Sequence, residues 1–427
     1  MPGVDCEETP LLGKTKLTSI PWSQVLVILF LLLAEPFTSH IISPFAPELI
    51  REIGITHGNE SHVGYYVGML QSSFFLSEAV GVFFWGRLSD RIGRKPVILL
   101  GLAGMSVSSL WFGLSKSFAS FILSRCLCGV MTTLIFRISD TSKIWGCMPL
   151  SWTLGATLGP IVGGYLFRPA VQYPRIFGDF QFFKTYPYFL PCAIPPMFCA
   201  IAWVAVFYLL KETVKSPVPI SHIFRVKSQQ REASRGTPLR LVLNSRVIIS
   251  VGHYAFVALI EVAYRAIQPL FFATPIDFGG LGLSPPSIGN LLAGAGALTG
   301  ILQLLFFSSI HRRWGSKATF VNGLIGSLPM FFTFPIAHLL VGMYGFNRLL
   351  WVFIVLQSIM SFGYGLSFGA IFMYINAAAP DRASLDDDKP KHEYLGGNLV
   401  YCVFFVMTCI GVVATNYLLP QKVWNQP

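Results

Sequence analysis

Charged side chains are scarce in this sequence: Asp, Glu, Lys and Arg make up 12% of its 427 residues. A soluble domain carries about 25%, because its surface has to be wetted, so a water-soluble globular fold is excluded. What stands in their place is apolar, 53% of the chain, gathered into runs close to the ~20 residues a helix needs to cross a bilayer. The runs lack two-residue alternation, which excludes a membrane β-barrel and leaves helices. Also missing are a nucleophile–base set, a phosphate-cradling loop and a metal-ligand cluster, so no enzyme chemistry and no metal site follow. Eight cysteines are present, and Cys126, Cys128, Cys192, Cys199, Cys402 and Cys409 fall inside apolar runs. Cys126-Leu-Cys128 lacks zinc-site spacing. The thiols read as small apolar residues, with no disulfide framework.

Eleven stretches are long and apolar enough to span: about 24–46, 63–86, 96–114, 118–136, 144–167, 186–210, 247–273, 287–310, 318–341, 349–376 and 398–419. No cleavable signal peptide is expected, since residues 1–21 are polar and the first run is long enough to remain as a span. The formal net charge is +11, yet the cations lie in the connecting segments, so a nucleic-acid partner is not implied. With Met1 in the cytosol, alternate connections collect 22 Lys and Arg against 6 on the opposite side, the positive-inside pattern. The eight between Lys211 and Arg246 form a polar basic segment. It divides the chain into a cytosolic tail (1–21), a six-helix bundle (22–210), a cytosolic central loop (211–246) and a second bundle (247–427). Two bundles joined in this way are the plan of secondary transporters, with cargo near the midplane.

Two motifs carry more than topology. Gly86-Arg-Leu-Ser-Asp90-Arg91-Ile-Gly93-Arg94-Lys95 packs four cations and one Asp between two spans. Its glycines permit close helix approach, and Asp90 suits a hydrogen bond to a neighbouring helix N-terminus or a pair with Arg91 or Arg94. This arrangement reads as a cytosolic gate. His311-Arg-Arg-Trp-Gly-Ser-Lys317 is a weaker copy in the second half, without the Asp. In the fifth span, Gly155, Gly159, Pro160, Gly163 and Gly164 give a small-residue helix face and a proline bend.

Ionisable residues inside the runs are costly, about 2.5–3.5 kcal/mol each at mid-bilayer, and so face a cavity or a partner. They are Glu35, Glu78, Arg125 and the pair Glu261 and Arg265, four apart on one helical face. A desolvated carboxylate is a group that takes up and releases protons, which makes Glu35 and Glu78 coupling candidates with Arg125 as counter-charge. His40 and His253 join Glu261 and Arg265 as candidate cavity residues. Asn59-Glu-Ser61 is a glycosylation sequon in a short outer connection.

The gate motif and the Gly/Pro motif together resemble the major facilitator superfamily. More closely, the chain resembles fungal drug:proton antiporters related to the zinc-induced-facilitator-like group. The likeness is carried by Ala34-Glu-Pro36, Val63-Gly-Tyr-Tyr-Val-Gly68, Trp85 to Asp90, Arg125 with Gly129, Ser139-Asp-Thr141, Gly155 to Gly164, Tyr186 to Cys192 and Leu210 to Thr213. It implies an all-α polytopic fold of two bundles and proton-coupled export of small organic molecules or chelators by alternating access. It also implies the proton gradient in place of a cofactor, a monomer, and residence in the plasma or vacuolar membrane. A nutrient uniporter or symporter, or a non-transporting truncated or sensor variant, is the alternative. The family has twelve spans and eleven are recognisable here. The acidic and basic stretch Asp386 to Tyr394 stands where the eleventh would begin, so parity predicts a reversed final helix.

Overall fold

A computed structural model of the chain describes residues 22–92, 94–134, 148–210 and 245–378, with side chains over 29–82, 85, 95–134, 151–210 and 252–371. Every regular element among them is helical. The helices of eight residues or more in the first half are α1 (Trp22–His40), α2 (Ala46–Ile53), α3 (Val63–Ile92), α4 (Arg94–Leu114), α5 (Phe118–Thr132), α6 (Met148–Leu166) and α7 (Phe189–Leu209). The second half consists of α8 (Ser245–Ala273), α9 (Pro285–Ser327), α10 (Thr333–Tyr344) and α11 (Arg348–Ala378). Lys95–Leu114, Phe189–Leu209, Gly252–Ala273, Arg348–Ile371 and the composite run Pro285–Tyr344 are each long and apolar enough to cross a membrane. Met197, Ile201, Leu304 and Leu305 are more than half exposed, an apolar exterior that suits lipid rather than water.

The span ends differ from the sequence expectation in four places. The first apolar run continues to residue 46, but the helix stops at His40, because Ser43-Pro44 breaks it and the chain turns before α2. α2 is amphipathic: Ala46, Pro47, Leu49 and Ile50 are buried beside Ile41 and Phe45, while Glu48, Arg51 and Glu52 remain on its polar side. It ends at Gly54, whose φ of 73° only glycine adopts freely. α3 runs on through Ile92 and α4 starts at Arg94, so the expected gate loop is mostly helix, with Gly93 outside the described residues. Two helices meet within α9 at Gly315 (φ 74°, ψ 168°). The following span is divided by a 3-10 turn at Leu328–Phe332 before α10. The central loop 211–244, the tail 1–21 and the stretch 398–419 lie outside the described residues.

Within the first half, α3 packs on α5, α4 on α5 and α7, and α1 on α6 and α7. Leu31, Ala34, Phe74, Ile98, Leu102, Met105, Cys128 and Val206 form one apolar core between them. In the second half α11 lies along α9 and α8, around Phe272, Leu281, Ile288, Val341 and Leu350. α6 and α9 form the long seam between the halves.

A buried charged site at the junction of the halves

One set of buried polar groups is carried by α1, α5, α6, α8 and α11. Glu35, Ser39 and His40 lie along the last turns of α1, and Glu35 is only 3% exposed. α5 contributes Arg125, 5% exposed, its guanidinium 4.6 Å from the centre of the Phe74 ring. Gly129, one turn further along α5, lets that helix press on the α3 backbone at Phe74 and Glu78. Glu35 lies within electrostatic reach of Glu78. Among the described residues no ion pair joins Arg125 to either carboxylate, so the expected counter-charge is not in contact. Instead Glu35 Oε2, Ser39 Oγ, Arg125 Nε and Trp152 Nε1 are all buried without a hydrogen-bond partner. Four orphaned groups in one region are unusual, since an unmet buried polar atom costs about 1–3 kcal/mol.

The second half presents the Glu261–Arg265 pair, whose spacing on α8 was legible in the sequence. Arg265 Nε and Nη2 both lie 2.9 Å from Glu261 Oε1. The remaining edge of the guanidinium crosses between the halves: Nη1 lies 3.1 Å from His40 Nε2. His40 Nδ1 lies 2.7 Å from the Pro36 carbonyl oxygen. Trp152 of α6 completes the junction, edge-to-face with His40 at 5.6 Å and 5.9 Å from the Arg265 carbon. Behind them, Gln268 Nε2 donates to Tyr264 Oη at 3.0 Å, and the Tyr264 and Tyr364 rings are 6.0 Å apart. Trp152, Tyr264, Gln268 and Tyr364 were not singled out from the sequence, where aromatic residues inside apolar runs look like lipid-facing ones. The four-residue step from Tyr264 to Gln268 was the available signal.

Other sequence candidates lie elsewhere. His253 stands two helical turns and more before Glu261 on α8, with its ring 5.6 Å from Phe320, away from the junction. Of the gate motif, the side chains of Gly86, Asp90, Arg91, Gly93 and Arg94 fall outside the described residues. Lys95 Nζ donates to the Phe207 carbonyl at 2.7 Å, placing a cation on the negative end of α7.

The glycines of α6 divide between two faces. Gly155, Gly159 and Gly163, four apart, meet α1 and the turn after it: a Cβ on Gly155 would stand 2.6 Å from Pro36 Cβ, and one on Gly163 would strike the Ile41 carbonyl. Gly164 and Pro160 face α9 instead, where Gly289 fits against the Pro160 carbonyl and Gly164. The motif therefore builds a helix with close backbone contact on both sides.

A second polar cluster lies at the end of the junction that the positive-inside pattern assigns to the outside. Arg51 of α2 bonds Glu60 at 3.0 Å and approaches Glu48 at 3.5 Å. Its Nη2 crosses to the second half, donating to the Ala273 carbonyl at 3.0 Å, the last residue of α8. Arg168 reaches Glu48 at 3.4 Å and Glu52 at 3.2 Å, and Tyr188 Oη bonds Glu52. Burial works against the charge on Arg168, but Tyr188, Glu52 and Glu48 hold its pKa above the ordinary guanidinium value. Asn59 of the sequon is exposed and accepts from Ser61 N at 3.0 Å.

Two helical halves in a membrane, with unpaired charge buried at their junction, define a membrane carrier. The sequence agrees at family level: the chain belongs to the major facilitator superfamily, whose model matches residues 28–414. It is 28% identical to the efflux pump azaK of Aspergillus niger over 391 residues, covering 88% of this chain and 78% of that one. It is 31% identical to the protein ZINC INDUCED FACILITATOR-LIKE 1 of Arabidopsis thaliana over 329 residues, covering 71% and 66%. Among solved structures, a bacterial homolog of the human lysosomal transporter Spinster superposes with TM-score 0.61 at 15% identity, over 92% of this chain and 81% of that one.

Proposed function

We propose that this chain exports small organic molecules from the cytosol in exchange for protons, by alternating access of the junction site to the two sides of the membrane. The observation that carries the reading is the set of orphaned buried atoms on Glu35, Ser39, Arg125 and Trp152. Polar groups left unmet in a membrane interior are sustained where a cargo or a proton satisfies them for part of a cycle. Glu35, with Glu78 behind it, is the proton-accepting pair, and Arg125 sets the local potential. Relatives described as efflux pumps and multidrug transporters support the outward direction. In this reading the carrier is a monomer and draws on the proton gradient without a cofactor.

The test uses the full chain in proteoliposomes with ethidium and fluorescein as probes of opposite charge. Flux of either dye driven by an imposed pH gradient, and abolished when a protonophore collapses it, is the expected result. Dye flux indifferent to the gradient would replace exchange with facilitated diffusion. No flux of any probe from a broad cargo panel would favour a non-transporting protein.

A further inference from the structure

From the hydrogen-bond roles at the junction we infer that His40 is a proton-binding site whose occupation releases the tie between the two halves. The inference rests on the reading of the chain as a proton exchanger. The two ring nitrogens have fixed roles. Nδ1 lies 2.7 Å from the Pro36 carbonyl oxygen, which can only accept, so Nδ1 carries a hydrogen. Nε2 lies 3.1 Å from Arg265 Nη1, which can only donate, so Nε2 presents its lone pair. The ring is neutral in this arrangement, with its tautomer set by one partner in each half.

A second proton has one place to go, the Nε2 lone pair, and there it removes the acceptor and sets a cation against the guanidinium. Protonation and the tie are mutually exclusive. Release strands no charge, because Arg265 keeps both bonds to Glu261. The ionisable groups facing the ring are Arg265 and Glu261 from α8, with Tyr364 of α11 beside Arg265. Arg125 of α5 lies within electrostatic reach, and Glu35 is just over one turn away on α1. α6 contributes Trp152, Gly155 and Gly159 at this level, none of them ionisable.

Exchange imposes a rule: an empty carrier stays put, and a carrier loaded with either partner moves. A tie that requires a proton-free Nε2 and an unclaimed edge of Arg265 obeys the first half of that rule. A proton on His40, or a cargo group that takes Arg265 or the Trp152 face, obeys the second. His40 thus makes one lock answer to two ligands.

The experiment reads the outer separation of the halves directly, in full-length protein in lipid nanodiscs without cargo. Spin labels go at Val171→Cys and Phe278→Cys, exposed outer positions in the first and second halves, with native cysteines replaced. Wild type is expected to show the short separation at pH 8, with the longer one gaining about tenfold in weight at pH 5, the size of one lost charge-assisted hydrogen bond. His40→Gln, neutral at both values, should shift less than about twofold, and His40→Ala should show the longer separation at both. A full wild-type shift in His40→Gln, or no shift in wild type, overturns the inference. Gradient-driven flux of ethidium or fluorescein, whichever wild type carries, undiminished in His40→Gln overturns it while leaving exchange intact. Absence of gradient-driven flux of both ethidium and fluorescein in wild type removes exchange itself, and the coupling role of His40 with it.

Discussion

Arg51 offers a quantitative test of how the outer side is held shut. One of its hydrogen bonds joins the halves, from Nη2 to the Ala273 carbonyl at 3.0 Å. That carbonyl is among the last four of α8, which have no partner inside the helix and sit at the negative end of its dipole. The donor is charged, which strengthens the bond, but the Arg51 side chain is 23% exposed, so water and salt screen it. About 1 kcal/mol survives that discount, equivalent to about fivefold in the ratio of closed to open outer side. Arg51→Gln is too short to reach Ala273 and should lose this amount. The assay is the rate at which an impermeant maleimide, added outside, labels Ser39→Cys at the junction in a background without native cysteines. Labelling should be about fivefold faster in Arg51→Gln. Raising the salt to 1 M should narrow the difference, because the screening length falls to about 3 Å. An unchanged or slower rate at low salt would refute the argument, since the outer side would then be held by something other than this bond.

Further outcomes follow from the site and its packing. Glu35→Gln should reduce gradient-driven dye flux by more than about tenfold while leaving counterflow of dye between equal pH compartments, as expected for loss of a proton carrier; equal losses in both assays would make Glu35 a cargo contact. Gly163→Ala should destabilise the protein by about 1–3 kcal/mol, because the Ile41 backbone after α1 has no room to move off the new methyl, whereas Gly294→Ala, with nothing within 4 Å, should raise the melting temperature slightly, since alanine is the better helix former. Lys95→Met should lower that temperature only slightly, since a partly exposed cation on a helix end contributes about 0.3–1 kcal/mol; a collapse of folding would mean that Lys95 does more than hold α7.

The sequence made some of this legible because membrane helices advertise themselves by length and by where cations stop. The Glu261–Arg265 pair was readable for a similar reason, since a four-residue step fixes which side chains share a face. The His40–Arg265 contact was not, because it spans 225 positions and no periodicity says which helices meet. The orphaned state of Arg125 was equally hidden: two carboxylates lay in other spans, and only the packing of Gly129 on α3 decided that an aromatic ring would stand beneath it. The end of the first span was misjudged because Ile41, Ile42 and Phe45 are apolar for a different reason. They fill the core under α2, so burial by protein mimicked burial by lipid. In the fifth span the sequence showed small residues but not that they served two partners.

That two-sided helix has a mechanical consequence. Where helices mesh through side chains, one cannot turn against the other without lifting every ridge out of its groove. α6 meets α1 largely through glycine, and on its other flank Gly164 faces Gly289 while the short side chains of Thr153 and Thr157 rest on Gly300 and Gly296 of α9, so its flanks carry few and low ridges. A smooth shaft gripped on both sides is a bearing: it resists separation yet gives little friction to rotation. The halves of this protein are joined along α6 in that manner, so the alternating access proposed for them would turn about it as a door turns on its pin.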